Sequence, residues 1–177
     1  AIAALGNLYF EGKGVEQNYL KAKEYYELAV KLKNSIAINN LGHLYKEGKG
    51  VEQNYLKAKE YYELAAKFEY PIAINNLGDL YYEGKGVEQN YLKDKEYYEI
   101  AAKLNNSDAI NKIGDLYYYG KGVEQNYLKA KEYYEIAAKL NNSIAINNLG
   151  NLYYYGKGVE QNYSKAKEYY EIAAKLN

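Results

Sequence analysis

Few side chains in this sequence belong to the types that carry out chemistry. The first candidate is the tripeptide Gly-Lys-Gly, which could form a phosphate-binding loop. Backbone amides and a lysine are the groups that hold a phosphate in a nucleotide-binding loop. The tripeptide lacks the GxxxxGK[ST] spacing of such loops, however, and it follows a predicted helix instead of a strand. It also occurs five times, which a nucleotide site does not. We therefore interpret Gly-Lys-Gly as a turn.

One histidine and two aspartates are the remaining candidates for acid–base or metal chemistry. His43 is the only histidine, and the chain has no cysteine, so a metal ion would lack its usual set of ligands. We expect His43 to be a surface polar residue. Asp79 and Asp115 lie one repeat apart, and the sequence gives no sign of the cleft that would shift their pKa values for acid–base work. We predict no catalytic residue, no metal site and no cofactor.

The predicted helices and turns that position these residues recur with a period of 36 residues. The octapeptide GKGVEQNY begins at Gly12, Gly48, Gly84, Gly120 and Gly156. Self-similarity at such a period is typical of a solenoid of helical hairpins, in which each unit packs only on its neighbours. We expect a single repeat domain over residues 1–177. Its repeats are expected at approximately 1–34, 35–70, 71–106, 107–142 and 143–177.

The second copy shows why each unit should be a pair of helices. Over residues 36–47, the apolar side chains fall in one arc of a helical projection and the polar ones in another. Gly48 stands where a left-handed C-terminal cap is needed, and Asn54 is the predicted N-cap of a second helix over 55–67. We therefore expect an all-α fold, a right-handed superhelical solenoid of five two-helix repeats.

Small residues stand at three positions of each unit, namely Gly42, Ala58 and Ala65 in the second copy, and they allow two helices to approach closely. The pattern Ile-x2-Leu-Gly-x2-Tyr from Ile38, followed by Ala-x3-Tyr-x2-Ala, is similar to the tetratricopeptide pattern with four extra residues between the helices. With Gly-x-Gly-Val and Lys-Ala-x-x-Tyr-Tyr-x-x-Ala-Ala, the sequence resembles the Sel-one-like repeat (SLR) family of α-solenoids.

The resemblance covers all five copies and implies a binding role, because members of that family are mostly adaptors and scaffolds. Eukaryotic members act in endoplasmic-reticulum protein degradation and signalling, and bacterial members in host interaction and as immunity or regulatory proteins. This sequence lacks the cysteine pairs that staple some secreted bacterial members. In every copy an asparagine replaces the usual aspartate before the second helix: Asn18, Asn54, Asn90, Asn126 and Asn162.

Composition narrows the classes of partner. The 23 basic residues are all lysines and are balanced by 23 acidic ones, so we predict no nucleic-acid binding, which favours a basic, arginine-containing face. No apolar stretch approaches the roughly 20 residues of a spanning helix, so we predict no membrane insertion. The chain lacks methionine and opens inside a periodic apolar segment, so we expect a fragment or processed form of a longer chain. The compartment and the oligomeric state stay open.

Aromatic residues gather at the end of the first helix toward the C-terminal repeats. The last two variable positions read Phe10-Glu11, Lys46-Glu47, Tyr82-Glu83, Tyr118-Tyr119 and Tyr154-Tyr155. Neighbouring exposed aromatics on a polar arc are typical of contact surfaces. We therefore take Tyr82, Tyr118, Tyr119, Tyr154 and Tyr155 as candidate partner-binding residues.

A row of polar residues lies beside these aromatics on the first helix, which the resemblance places on the concave side. Asparagine amides can pair with both C=O and N–H of an extended peptide. The row consists of Asn39, Asn75, Asn111 and Asn147, with Asn40, Asn76 and Asn148 next to them and His43, Asp79, Asp115 and Asn151 one turn on. The competing explanation is recent duplication in an A+T-rich genome, which would leave the same row without a function.

The predicted function is therefore that of a scaffold or adaptor, which binds a peptide or protein segment in a concave groove lined by these residues and has no catalytic site. The alternative from another class is a carbohydrate-binding surface, because tyrosine rings beside amides and carboxylates also suit sugars. Binding to glycans without binding to peptides would favour that alternative.

Overall fold

A computed structural model describes residues 1–176, which form ten α-helices and contain no strand. The helices are α1 (Ile2–Glu11), α2 (Tyr19–Lys31), α3 (Ser35–Glu47), α4 (Tyr55–Ala66), α5 (Pro71–Glu83), α6 (Tyr91–Lys103), α7 (Ser107–Tyr119), α8 (Tyr127–Lys139), α9 (Ser143–Tyr155) and α10 (Tyr163–Leu176). The predicted all-α class is confirmed. In the second copy, the two helices agree with the predicted bounds to within one residue.

The chain divides into two compact units, one over Ala1–Gln89 with α1 to α5 and one from Asn90 onward with α6 to α10. In the first unit, α1 packs on α2 and α3 on α4 within a repeat, while α2 packs on α3 and α4 on α5 between repeats. In the second unit, helices adjacent in the chain likewise pack on each other from α6 to α10. Packing between chain neighbours is what defines a solenoid of hairpins.

Helix boundaries follow the capping residues. Asn54 has extended backbone angles, and its side-chain oxygen accepts a hydrogen bond from the backbone N–H of Lys57 at 2.9 Å, which satisfies one free donor of α4. Gly48 ends α3 with φ at 68°, a left-handed conformation that favours glycine, and its N–H donates to the carbonyl oxygen of Leu44. These caps confirm the roles that the sequence predicts for both residues.

The loop between the helices is a fixed turn. The Gln53 side-chain amide donates to the carbonyl oxygen of Lys46 at 2.8 Å, and the Asn54 backbone N–H donates to that of Tyr45 at 2.8 Å. The glutamine bond recurs in every copy, from Gln17 to Phe10, Gln89 to Tyr82, Gln125 to Tyr118 and Gln161 to Tyr154. The octapeptide therefore repeats because it ties the end of one helix to the start of the next.

The core is a repeated contact between small and large residues. In the first unit, α2 and α3 share a buried cluster formed by Ala22, Tyr26, Ala29, Ala37, Leu41 and Leu44. In the second unit, α8 and α9 form the same arrangement with Ala130, Tyr134, Ala137, Ala145, Leu149 and Leu152. Within the second repeat, a Cβ at Gly42 would lie 2.6 Å from Cε1 of Tyr62, so only glycine fits beneath that ring.

Candidate functional site

In each repeat, a polar residue lies one turn before the end of the first helix. Its side chain is half-buried, and in three repeats it accepts a hydrogen bond from a tyrosine of the same hairpin. The hydroxyl of Tyr134 donates to Oδ1 of Asp115 at 2.7 Å. In the first and fifth repeats, asparagines accept the equivalent bonds at 2.8 Å, from Tyr26 to Asn7 and from Tyr170 to Asn151. This position, which was predicted to line a groove, thus accepts a hydrogen bond from a tyrosine of the second helix in these three repeats.

The second repeat has His43 at this position, and the contact is different. His43 is half-buried, with its ring centroid 5.8 Å from that of Phe10, and it is not the open surface residue expected from the sequence. Burial lowers the pKa of His43, which keeps the imidazole neutral at physiological pH. The buried hydroxyl of Tyr62 has no hydrogen-bond partner among the described residues.

The charge on Asp115 is held in a partly buried position. Burial raises the pKa of this carboxyl above its usual value, and the hydrogen bond from Tyr134 and the charges of Lys112 and Lys121 oppose that rise. Asp79, at the same position in the third repeat, is also half-buried.

The asparagine row is mostly buried, which corrects its expected exposure along a groove. Asn39, Asn75 and Asn111 are 6%, 6% and 5% exposed. The first column bonds to the second one repeat later: Asn76 Nδ2 donates to Asn39 Oδ1 at 2.9 Å, and Asn148 Nδ2 donates to Asn111 Oδ1 at 3.0 Å. Asn40 Nδ2 donates to Asn7 Oδ1 at 3.0 Å. These amides hold neighbouring repeats together, and of the first column only Asn147 is exposed.

Four tyrosines of α7 and α9 and two lysines of the following turns lie close together in the second unit, and we call them the tyrosine–lysine patch: Tyr118, Tyr119, Lys121, Tyr154, Tyr155 and Lys157. Tyr119 and Tyr155 are each 61% exposed and Tyr154 is 44% exposed, while Tyr118 is half-buried. The remaining predicted aromatic, Tyr82, is half-buried and belongs to the first unit.

Edge-to-face contacts fix the rings of the patch. The Tyr118 ring lies 4.8 Å from Tyr119 and 5.3 Å from Tyr127 at the start of α8, measured between centroids. One repeat later, Tyr154 lies 4.9 Å from Tyr155 and 5.2 Å from Tyr163 at the start of α10. Such pairs stabilise the rings beyond simple burial, so the exposed tyrosines are held in a defined orientation before any partner arrives.

The lysines of the patch were missed by the sequence interpretation, which assigned Gly-Lys-Gly only to a turn. Lys157 Nζ donates to the hydroxyl of Tyr118 at 2.8 Å and lies 4.6 Å from the centroid of that ring and 5.9 Å from that of Tyr155. Lys121 Nζ lies 5.8 Å from the ring centroid of Tyr119. The signal in the sequence was the fixed position of lysine in every turn, but only the fold shows which rings it reaches.

A hollow of about 360 Å³ adjoins the patch in the second unit. Its walls include Tyr154, Tyr163, Tyr170 and Ala166, with Lys167 and Glu171 at the same opening. Mostly apolar walls with a few polar groups are typical of a place that accepts an apolar side chain.

Residues 1–176 contain neither a metal-ligand cluster nor a membrane-spanning helix. No group of three or more histidine, cysteine, aspartate or glutamate side chains is arranged to hold a metal ion. No helix there combines the length and the apolar character needed to cross a membrane.

Helical hairpins that pack in chain order define an all-α repeat solenoid, and this one carries an aromatic surface patch. The Sel1 repeat family matches five segments of this chain, at residues 1–34, 35–67, 71–106, 107–142 and 143–177, so the chain belongs to the Sel1 repeat family. The resemblance stated from the sequence is confirmed. Proteins of this family are generally non-catalytic scaffolds whose repeats mediate protein interactions.

Solved structures of Sel1 repeat proteins superpose on most of the chain. A Sel1 repeat protein from Oxalobacter formigenes is 30% identical with a TM-score of 0.89, over 98% of this chain and 71% of that one. The protective antigen c5321 of uropathogenic Escherichia coli is 32% identical with a TM-score of 0.82, over 98% of this chain but only 37% of its own.

A more distant structure has the same fold. The immunity protein Pa5087 of Pseudomonas aeruginosa is 23% identical with a TM-score of 0.72, over 97% of this chain and 66% of that one. At that identity the likeness shows the fold alone. A comparison with curated proteins gives no match.

Proposed function

We propose that this protein is a non-catalytic scaffold that binds a segment of a partner protein through the tyrosine–lysine patch. The observation that carries the proposal is the exposure of Tyr119, Tyr154 and Tyr155 at the ends of two neighbouring first helices. Tyrosine is enriched among the residues that dominate binding energy at protein interfaces, because it offers an apolar face and a hydrogen-bonding hydroxyl. The chain also belongs to the Sel1 repeat family, whose members are generally interaction scaffolds, and this supports the same role.

Pre-organisation is the second support for the proposal. The rings are already held by edge-to-face contacts at 4.8 Å and 4.9 Å, so a partner does not have to order them on binding. Ordering a side chain with many rotamers costs about 0.5–1.5 kcal/mol of binding free energy, and that cost is reduced here. Asn147, the exposed asparagine of the row, lines a separate hollow with Ile144 and Tyr170.

The experiment is a selection of binders from a random displayed-peptide library on the whole chain, followed by fluorescence anisotropy with the recovered peptides. The double variant Tyr119→Ala and Tyr155→Ala should raise Kd by about 30-fold, the effect of losing anchors worth about 2 kcal/mol. We choose this pair over Tyr118, whose truncation would also break its bond with Lys157.

The matched control is Leu56→Ala, because Leu56 is as exposed as Tyr119, at 61%, but lies in the first unit. It should leave Kd unchanged, and no variant of an exposed tyrosine should lower the melting temperature by more than a few degrees. Recovery of no peptide, together with binding on a glycan array, would contradict the proposal and favour a carbohydrate-binding surface.

A further inference from the structure

The residue two positions before the turn lysine is glutamate in the first three repeats and tyrosine in the last two, and this difference changes the formal charge at the turn. In the first repeat, Lys13 Nζ lies 2.7 Å from a carboxylate oxygen of Glu11. In the third repeat, Lys85 Nζ lies 2.8 Å from a carboxylate oxygen of Glu83. In these copies a glutamate two residues before the lysine neutralises its charge.

The fourth and fifth repeats have tyrosine where the first three have glutamate, at Tyr119 and Tyr155. The lysines that follow contact aromatic rings: Lys121 those of Tyr91 and Tyr119, and Lys157 those of Tyr118, Tyr127 and Tyr155. A ring face attracts an ammonium group but carries no net charge, so it does not neutralise the lysine. Each replacement therefore makes the formal charge at the turn more positive by one unit.

The donors of the patch also suit an anion. The hydrogen bond to Tyr118 uses one of the three N–H groups of the Lys157 ammonium, which leaves donors for a further acceptor. The hydroxyl of Tyr155 belongs to an exposed side chain and can donate as well. A positive charge beside a phenol donor attracts a carboxylate and repels a cationic side chain.

We propose that the tyrosine–lysine patch selects an acidic segment of the partner protein, in which aspartate or glutamate stands beside apolar or aromatic residues. This inference rests on the proposed function, and it adds the chemistry of the partner. The carboxylates would bond to Lys157 and to the Tyr155 hydroxyl, and an apolar neighbour would enter the hollow lined by Tyr154 and Tyr163. The occupant is thus defined by charge and by one apolar anchor.

The decisive variant is Tyr119→Glu with Tyr155→Glu, which restores the residue that the first three repeats carry at this position. Because Glu11, Glu47 and Glu83 all end folded helices, the variant should keep the fold. Peptides selected on the unmodified chain from a library balanced in acidic and basic residues should be enriched in aspartate and glutamate. Their Kd should rise at least about tenfold in the variant and rise also between about 0.05 and 0.5 M NaCl.

The charge-matched control is Leu20→Glu with Leu56→Glu, since both leucines are 61% exposed and lie in the first unit. It adds the same two negative charges at residues that do not belong to the patch and should change Kd by less than about twofold. A third variant, Lys157→Gln, keeps every ring and removes one charge; it should weaken the acidic peptides by about three- to tenfold.

The outcomes separate this inference from the proposed function. Selected peptides that need the patch but are neutral or basic would overturn the acidic preference and leave the scaffold role standing. Acidic peptides whose Kd is the same for the Lys157→Gln variant and the unmodified chain would have the same consequence. Peptides that bind the double glutamate variant as tightly as the unmodified chain would overturn both the patch and its preference. Recovery of no peptide would overturn the proposed function itself.

Discussion

Replacing Tyr134 by phenylalanine should destabilise the protein, whereas replacing Tyr62 by phenylalanine should not, although the two residues occupy equivalent positions in their repeats. Both side chains are buried, at 1% and 0% exposed. The hydroxyl of Tyr134 donates to Asp115 at 2.7 Å, whereas that of Tyr62 has no hydrogen-bond partner among the described residues. The same chemical deletion thus removes a satisfied group in one repeat and an unsatisfied one in another.

The expected magnitudes follow from the two environments. A hydrogen bond to an ionised group contributes about 1.5–3 kcal/mol, and Asp115 keeps longer bonds from Asn111 and Asn148 at 3.3 Å, so Tyr134→Phe should cost about 1.5–2 kcal/mol. A buried hydroxyl without a partner destabilises by about 1–3 kcal/mol, so Tyr62→Phe should be neutral or stabilise by up to about 1 kcal/mol. The two variants should therefore differ by about 1.5–3 kcal/mol.

Urea unfolding followed by far-UV circular dichroism measures this difference, provided that the m-values stay equal. Because repeats in a solenoid need not unfold together, amide exchange in α4 and α8 should report the local effect. A third variant, His43→Asn, should stabilise by about 1 kcal/mol, because Asn7 and Asn151 accept this bond in their own repeats. That gain should vanish in a Tyr62→Phe background. Equal losses for both Phe variants would refute the reasoning.

Three further predictions concern stability. Asp94 is 0% exposed where the other four repeats have alanine, so Asp94→Ala should raise the free energy of unfolding by about 1 kcal/mol; a clear loss in urea unfolding would mean that a specific partner holds the carboxylate. Burial raises the pKa of Asp115, so the native state binds that proton more tightly than the unfolded chain, and stability falls as pH rises through the native pKa. Asp115→Asn should therefore melt higher than the unmodified chain at neutral pH, and the advantage should disappear below the ordinary carboxyl pKa of 3.8; an advantage independent of pH would contradict this. Gly42→Ala places a Cβ 2.6 Å from the Tyr62 ring and should cost about 1–3 kcal/mol by calorimetry, while an unchanged melting temperature would show that the ring moves freely.

The sequence by itself determined the helices and their ends. Caps and turns depend on residues within one turn of each other, so Asn54 and Gly48 could be assigned from their types and positions. The 36-residue period determined that the hairpins pack in chain order, because a repeat that cannot bury its apolar face alone must pack on its neighbour. The fold class and the family followed from these local signals.

The exposure of the asparagine row was decided by tertiary structure. A helical projection of one hairpin places Asn39 and Asn111 on a polar arc, and nothing in that arc tells that the following repeat covers it. In the structure each amide oxygen accepts a bond from an asparagine 37 residues later, so the polar arc is an interface between repeats. Buried amides are tolerated there because they bond to each other.

The composition of the patch was also decided by tertiary structure. The tyrosine pairs at the ends of α7 and α9 were visible in the sequence, but their lysines were not, since Lys157 reaches the hydroxyl of a tyrosine 39 residues earlier. That contact depends on the distance between successive repeats and on the direction in which the turn projects its side chain. Local sequence specifies the turn itself, whereas the packing of one hairpin on the next specifies which rings surround the lysine and hence what the surface can bind.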